Sequence, residues 1–219
     1  MSTVKSNRSQ LGISGTATQN FTLTAEAADG TMKLARGNAG ATTQDVITVD
    51  ANGLVTFDQG TQIPSGASTS ASGTAVDFTG IPSWVRRITI GLSGISTNGS
   101  SITQFQLGDS GGVETTGYLG AVDGSVAAVS AALLTTGLGV TRSGTAGAGS
   151  VFNGVATFIL IDSVTNLWAG SWIGARSDAA ACLFSGTSKA LSGTLDRIRL
   201  TTVNGTDTFD AGTINILYE

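Results

Sequence analysis

Apolar and polar positions alternate along much of this chain, the period-two pattern of strands that bury one face. Residues 21–25 (Phe-Thr-Leu-Thr-Ala) and 31–36 (Thr-Met-Lys-Leu-Ala-Arg) alternate in this way. Residues 45–49 and 54–57 form a further pair of runs joined through Asp50-Ala51-Asn52-Gly53, where Asn-Gly supplies the positive φ that a tight hairpin needs. Later, residues 85–92 set Ile88, Ile90 and Leu92 against Arg87 and Thr89, and residues 102–107 set Ile102, Gln104 and Gln106 against Thr103, Phe105 and Leu107. Residues 151–162 are different, because Phe152, Val155, Ala156, Phe158, Ile159, Leu160 and Ile161 are apolar on both faces. Such a strand is expected in the middle of a domain.

Residues 167–173 (Leu-Trp-Ala-Gly-Ser-Trp-Ile) add another strand, and the closing stretch 195–219 reads as two strands around an Asn204-Gly205 turn. Its last run places Ile214, Ile216 and Tyr218 opposite Asn215, Leu217 and Glu219, so the chain end is expected inside a sheet rather than frayed. Only residues 125–136, with Val126, Val129, Leu133 and Leu134 at helical spacing, leave helix and strand both open. The pattern predicts an all-β protein. Residues 75–219 are expected to form a jelly-roll-like β-sandwich, preceded by an extended N-terminal segment with short strands over residues 1–60 and a small-residue linker over 61–74. Residues 1–20 are polar and aperiodic, and read as an arm ordered only against a partner.

Composition adds an expectation about assembly. Charged residues are 12% of the chain, about half the share of an average soluble domain, and Gly is 31 of 219 residues. So few charges protect a free monomer poorly, which points to surface buried in a permanent oligomer. The net charge of −4 and the scattering of eleven Lys and Arg argue against nucleic acid. No apolar run approaches the roughly 20 residues of a membrane span and no signal-peptide core is present, so a soluble product of a reducing cytoplasm is expected. The single cysteine, Cys182, in the setting Ala180-Ala181-Cys182-Leu183-Phe184, reads as a buried small hydrophobe.

Chemical motifs are few. Gly108-Asp109-Ser110-Gly111-Gly112 matches the string around a serine-protease nucleophile, but that chemistry needs a base and the chain has no histidine. It is read as a turn. Asn204, Asp207 and Asp210 could offer oxygen ligands to calcium, yet their spacing matches no EF-hand and turn chemistry explains them equally. With no His and one Cys, no metal site and no cofactor is expected, and no glycosidase-like pair of acids stands out. The candidate receptor contacts are aromatic: Trp168 and Trp172, four apart and so on one strand face, for which burial in the core or a subunit interface is the commoner fate, and Tyr118, beside Gly117 and Gly120, read as an exposed contact on a mobile loop.

Residues 23–40, Leu-Thr-Ala-Glu-Ala-Ala-Asp-Gly-Thr-Met-Lys-Leu-Ala-Arg-Gly-Asn-Ala-Gly, with the hairpin of residues 45–57, resemble virion-proximal segments of bacteriophage tail fibres. Residues 72–89, which include Phe78-Thr79-Gly80-Ile81-Pro82-Ser83-Trp84, and the closing residues 206–216 are similar to a module that recurs in phage fibre and structural proteins. The resemblance implies a non-enzymatic virion protein made in the bacterial cytoplasm, typically a homotrimer. Its N-terminal part, residues 1–60, would dock on tail, baseplate or capsid proteins, and its distal β-domain would meet a host-surface glycan or protein. A non-receptor structural role, as a capsid decoration or head fibre, is the alternative that the same resemblance implies.

Overall fold

The computed structural model describes residues 8–11, 20–26, 30–38, 41–53, 55–57, 68–125 and 131–219. No helix occurs among the described residues, and the fold is all-β, in three sheets. The chain divides into two compact units, Met1–Gln62 and Ile63–Glu219.

The first unit is one antiparallel sheet in sequential order: β1 (Arg8–Leu11), β2 (Phe21–Glu26), β3 (Thr31–Asn38), β4 (Ala41–Val49) and β5 (Val55–Phe57). Part of the expected polar arm is thus a strand, paired from Arg8 opposite Thr24 to Leu11 opposite Phe21. The β4–β5 turn closes as the Asn-Gly pair requires. Gly53 takes φ 83° and donates its N–H to the Asp50 carbonyl at 2.9 Å, while the Asp50 carboxylate accepts from the Asn52 N–H. The alternation in β2 is present but its burial is inverted. Thr22 and Thr24 are buried, Thr22 through a hydroxyl bond to the Gly37 carbonyl, whereas Phe21, Leu23 and Met32 are half exposed. Cross-strand pairing of Leu23 with Leu34 and of Ala25 with Met32 gathers those apolar side chains on one face.

The second unit is a sandwich of two sheets. The smaller contains β7 (Ala75–Thr79), β9 (Thr103–Asp109), β10 (Gly112–Val113), β13 (Leu138–Gly139) and β17 (Arg197–Thr202), in the order β10-β9-β17-β7 with β13 also on β9. The larger contains β6 (Thr69–Ser70), β8 (Arg87–Thr97), β11 (Leu119–Ser125), β12 (Ala132–Leu134), β14 (Phe152–Asp162), β15 (Leu167–Arg176), β16 (Ala181–Ala190) and β18 (Phe209–Tyr218). Its order is β12-β11-β16-β15-β14-β8-β18-β6. The jelly-roll variant finds no confirmation in this order, since β14, β15 and β16 follow one another by hairpins within one sheet.

The core lies between the sheets. Ile88, Ile90, Phe158, Trp172, Leu183, Ile214 and Ile216 from the larger sheet meet Phe105, Leu107, Ile198 and Leu200 from the smaller. Phe105 and Phe158 pack edge to face across the gap, ring centroids 6.0 Å apart at 83°. Glycine makes room for the rings. Gly170 faces Phe158 across the β14–β15 pair, and a Cβ there would lie 2.6 Å from the Phe158 ring. Gly174 has the same role for Trp172, at 2.3 Å.

Several sequence expectations resolve differently in three dimensions. The closing pair is no hairpin: β17 belongs to the smaller sheet and β18 to the larger, so the Asn204-Gly205 turn carries the chain from one layer to the other. A tight turn signal fixes a reversal of direction but not whether the next strand pairs with its predecessor. The chain end is nevertheless built in, because β18 pairs with β8 along its length and the Glu219 carbonyl accepts from the N–H groups of Arg86 and Arg87 at 2.7 and 2.9 Å. Of the linker expected at residues 61–74, Thr69–Ser70 is β6 on β18, Ala71 is buried with its N–H on the Gly212 carbonyl, and Gly73 bridges Phe209. Residues 61–67 lie outside the described residues. In the stretch 125–136 that left helix and strand open, Ala132–Leu134 is a strand paired with β11, while residues 126–130 lie outside the described residues. Cys182 is exposed rather than buried. Strand parity is the reason: Ala181 and Leu183 turn inward on β16, so Cys182 and Phe184 must turn outward.

Candidate functional site

The aromatic residues nominated from sequence are core residues. Trp172 and Trp168 do share a face, as their spacing requires, but it is the inner one, and both are buried. The Trp172 indole N–H meets no acceptor among the described residues. Tyr118 corrects the expectation of an exposed loop contact, since it is wholly buried. Its hydroxyl accepts from the Leu107 N–H at 2.6 Å and donates to the Glu114 carbonyl at 3.0 Å, and burial raises its pKa well above that of a free tyrosine. Flanking glycines suggested mobility, yet Tyr118 anchors the segment between β10 and β11. The exposed tryptophan is Trp84, 53% accessible in the turn before β8.

Beside Tyr118 lies an ionic cluster that clamps three segments together. The Lys189 ammonium pairs with Glu114 and sits 5.8 Å from the Tyr118 ring centroid, and Glu114 also accepts from the Ser192 N–H at 2.7 Å. Burial works to raise the Glu114 pKa, but the Lys189 and Ser192 bonds outweigh it and the carboxyl stays below its ordinary value. Ser192 in turn donates its hydroxyl to Asp109 at 2.6 Å; that bond and the Gly111 N–H lower the Asp109 pKa. Here the protease-like string has a structural explanation. Asp109 pairs with Gly112 across the β9–β10 hairpin, and Ser110 and Gly111 form its two-residue exposed turn.

Two of the three residues weighed for calcium are likewise occupied by the fold, and Asp210 is exposed on β18. Asn204 Oδ1 accepts from the Thr202 hydroxyl and from the Thr206 and Asp207 N–H groups, and its amide nitrogen donates to Asp207 at 2.6 Å. The other Asp207 oxygen accepts from the Ser101 N–H at 2.9 Å, tying the turn to the start of β9. These bonds, the Asn204 one first, lower the Asp207 pKa. Among the described residues no group of three or more His, Cys, Asp or Glu could hold a metal ion.

A cleft of about 500 Å³ lies over the outer face of the smaller sheet. Phe105, Leu107, Ile198 and Leu200 point into the core, so alternation turns Gln104, Gln106, Arg199 and Thr201 outward. Register lines them up in two rows, Gln106-Arg199-Asp77 and Gln104-Thr201-Ala75. Thr115, Thr116 and Thr136 stand at one side and the Asn204-Gly205 turn at one end.

The floor of this cleft is held in place before any ligand arrives. Arg199 makes a bidentate bond to Asp77 at 2.7 and 2.8 Å, which raises the guanidinium pKa further. Thr136 donates its hydroxyl to the Gln104 side-chain oxygen Oε1 at 2.7 Å and accepts at its backbone carbonyl from the Gln106 side-chain amide at 3.0 Å. Gln104, Gln106 and Thr201 are themselves buried, at 1%, 5% and 7% accessible, so the exposed part of the lining comes from Arg199, Thr115, Thr116 and Asn204. Sequence reasoning passed over these residues because single Gln and Thr on a strand look like ordinary solvent-facing positions. The pairing that aligns them belongs to the sheet.

No family model, no curated protein and no solved structure matches this chain.

Proposed function

We propose that this chain is a non-enzymatic structural and adhesive protein of the bacteriophage appendage kind that its sequence resembles. On this view it is a short homotrimeric tail fibre or receptor-binding protein whose sandwich meets a host-surface glycan in the cleft over the smaller sheet. What carries this is the chemistry of the cleft lining. Planar amides, threonine hydroxyls and an internally neutralised Arg199–Asp77 pair offer donors and acceptors without net charge, which suits a neutral, polyhydroxylated ligand. The fixed floor lowers the ordering cost of binding. The half-exposed apolar positions Phe21, Leu23 and Met32 support an attachment role for residues 1–60, since a one-layer sheet with such a face gains by docking on another protein.

The test is retention of the labelled full-length chain on bacterial cells, with polysaccharide extracted from the bound cells as competitor. Arg199→Ala and Gln106→Ala are expected to weaken retention at least about tenfold, the scale of one or two lost hydrogen bonds to a ligand. Retention that neither substitution changes would remove the cleft from the account.

A further inference from the structure

The outer face of the larger sheet has the opposite character. Outward positions on β14, β15, β16 and β11 align in three rows. Val155, Ile173 and Phe184 form the first; Thr157, Ser171, Gly186 and Ala121 the second; Ile159, Ala169, Ser188 and Leu119 the third. None of these positions is charged. Ile173 is 73% accessible, Leu119 77% and Phe184 51%, with Leu133 of β12 extending the second row. Charge is met only at the margins. Arg87 lies opposite Ile159 and pairs with Glu219 at 3.5 Å, and Asp123 ends the first row, buried 3.7 Å from the Arg142 guanidinium. An uncharged centre with ion pairs at its border is the anatomy of a protein interface.

We infer that this face is a contact between copies of this chain. Three observations favour a second copy over an unrelated partner. The face carries no charge by which to select a different protein or repel its own like. Its relief is self-complementary, because the small second row is a trough between ridges formed by Ile173 and Phe184 on one side and Ile159 and Leu119 on the other. A second copy can lay one of its ridges in this trough. Finally, β14 is apolar on both faces, the pattern of a strand covered on both sides, yet Val155, Ile159 and Ile161 of its second face are about half exposed among the described residues. Four strands about 4.8 Å apart, over about seven residues at about 3.3 Å each, give a flat footprint of roughly 450 Å² per copy. Side-chain relief adds to that, and a pair approaches the roughly 1,000 Å² at which specific interfaces begin.

This inference rests on the assembly half of the function proposed above and does not involve the cleft. Cys182, exposed on the same face beside Phe184, supplies a reporter. Light scattering of the full-length chain, with the rate of Cys182 reaction with a small aromatic disulfide, tests it. The native chain is expected at a multiple of 21.9 kDa with a slow thiol. Phe184→Asp is expected near 21.9 kDa with a thiol at least about tenfold faster. Ile173→Thr, a milder change that keeps a β-forming residue, shifts mass and thiol rate the same way if the aspartate variant does not fold. An assembly that neither variant loosens, with an unchanged thiol rate, overturns the assignment of this face while leaving oligomerisation intact. A native chain of 21.9 kDa overturns both.

Discussion

On the smaller sheet the outward positions carry Gln104, Gln106, Arg199, Thr201 and Asp77; on the larger they carry Val155, Ile173, Phe184, Ile159 and Leu119. The same alternation produced both surfaces, which lie on either side of one shared core. The difference lies in whether the outward groups are satisfied. Polar side chains over the smaller sheet bond to one another, Gln104, Gln106 and Thr201 being buried as they do so, and floor a concave cleft. Apolar side chains over the larger sheet have nothing to bond and gain only by leaving water, at about 25 cal/mol per Å². One sandwich therefore presents a polar, internally bonded face and an apolar, uncharged one.

The strongest way to break the comparison is to remove what the faces share. Phe158→Ala empties the space over Gly170 and takes away the edge-to-face contact with Phe105; a loss of about 3–5 kcal/mol in denaturant unfolding is expected, with both faces lost together. Loss of only one face on that substitution would show that the two sheets fold separately.

A charge placed on each face separates them. Phe184→Asp is expected to lower the mass of the native assembly, whereas Thr115→Asp, at the side of the cleft, should leave mass unchanged and weaken cell retention. Equal effects of the two on mass would erase the distinction.

Titration reaches the ends of the sandwich. Arg176, with the Val151 N–H, holds Asp178 down to about 2. A depressed carboxyl adds stability above its unfolded value, near 3.9, and loses it as pH falls toward 2. The urea midpoint is therefore expected to drop between about pH 4 and pH 2, and Asp178→Asn should flatten that drop. Tyr118 acts at the other extreme. Its raised pKa means that folding favours the neutral phenol, so this contribution is complete below about pH 10 and is lost above it. Phenolate absorbance from Tyr118 should appear only as the sandwich unfolds.

The smallest effect expected is on the cleft floor. Arg199 and Asp77 are each more than a third exposed, and a double-mutant cycle on the pair should give no more than about 1 kcal/mol of stability. That near-neutrality is what lets Arg199→Ala report on ligand binding rather than on folding.

Much of the fold was legible residue by residue. The alternations at residues 21–25, 31–36 and 85–92, the two-sided apolar run at 151–162 and the Asp50-Ala51-Asn52-Gly53 turn each overlap observed strands or turns. Strand β16 was less visible, because Ser185, Thr187 and Lys189 on its inner face and Gly186 and Ser188 on its outer face blur the alternation. Tyr118 misled because glycine neighbours signal freedom only where nothing tethers the side chain between them. Cys182 misled because an apolar neighbourhood does not say which parity faces the core.

Residue type and spacing alone make the chain all-β, β14 apolar on both faces and charge scarce. Only the tertiary structure decided which parity of each strand faces inward, and that the Asn204-Gly205 turn passes between layers. It also decided that Gln104, Gln106, Arg199 and Thr201 stand together while Val155, Ile173 and Phe184 stand on the opposite side. The physical reason is that a strand's period fixes two faces but not their partners. Partners are chosen when hydrogen-bonded register aligns residues tens of positions apart, and that choice is made by the packing of the whole core.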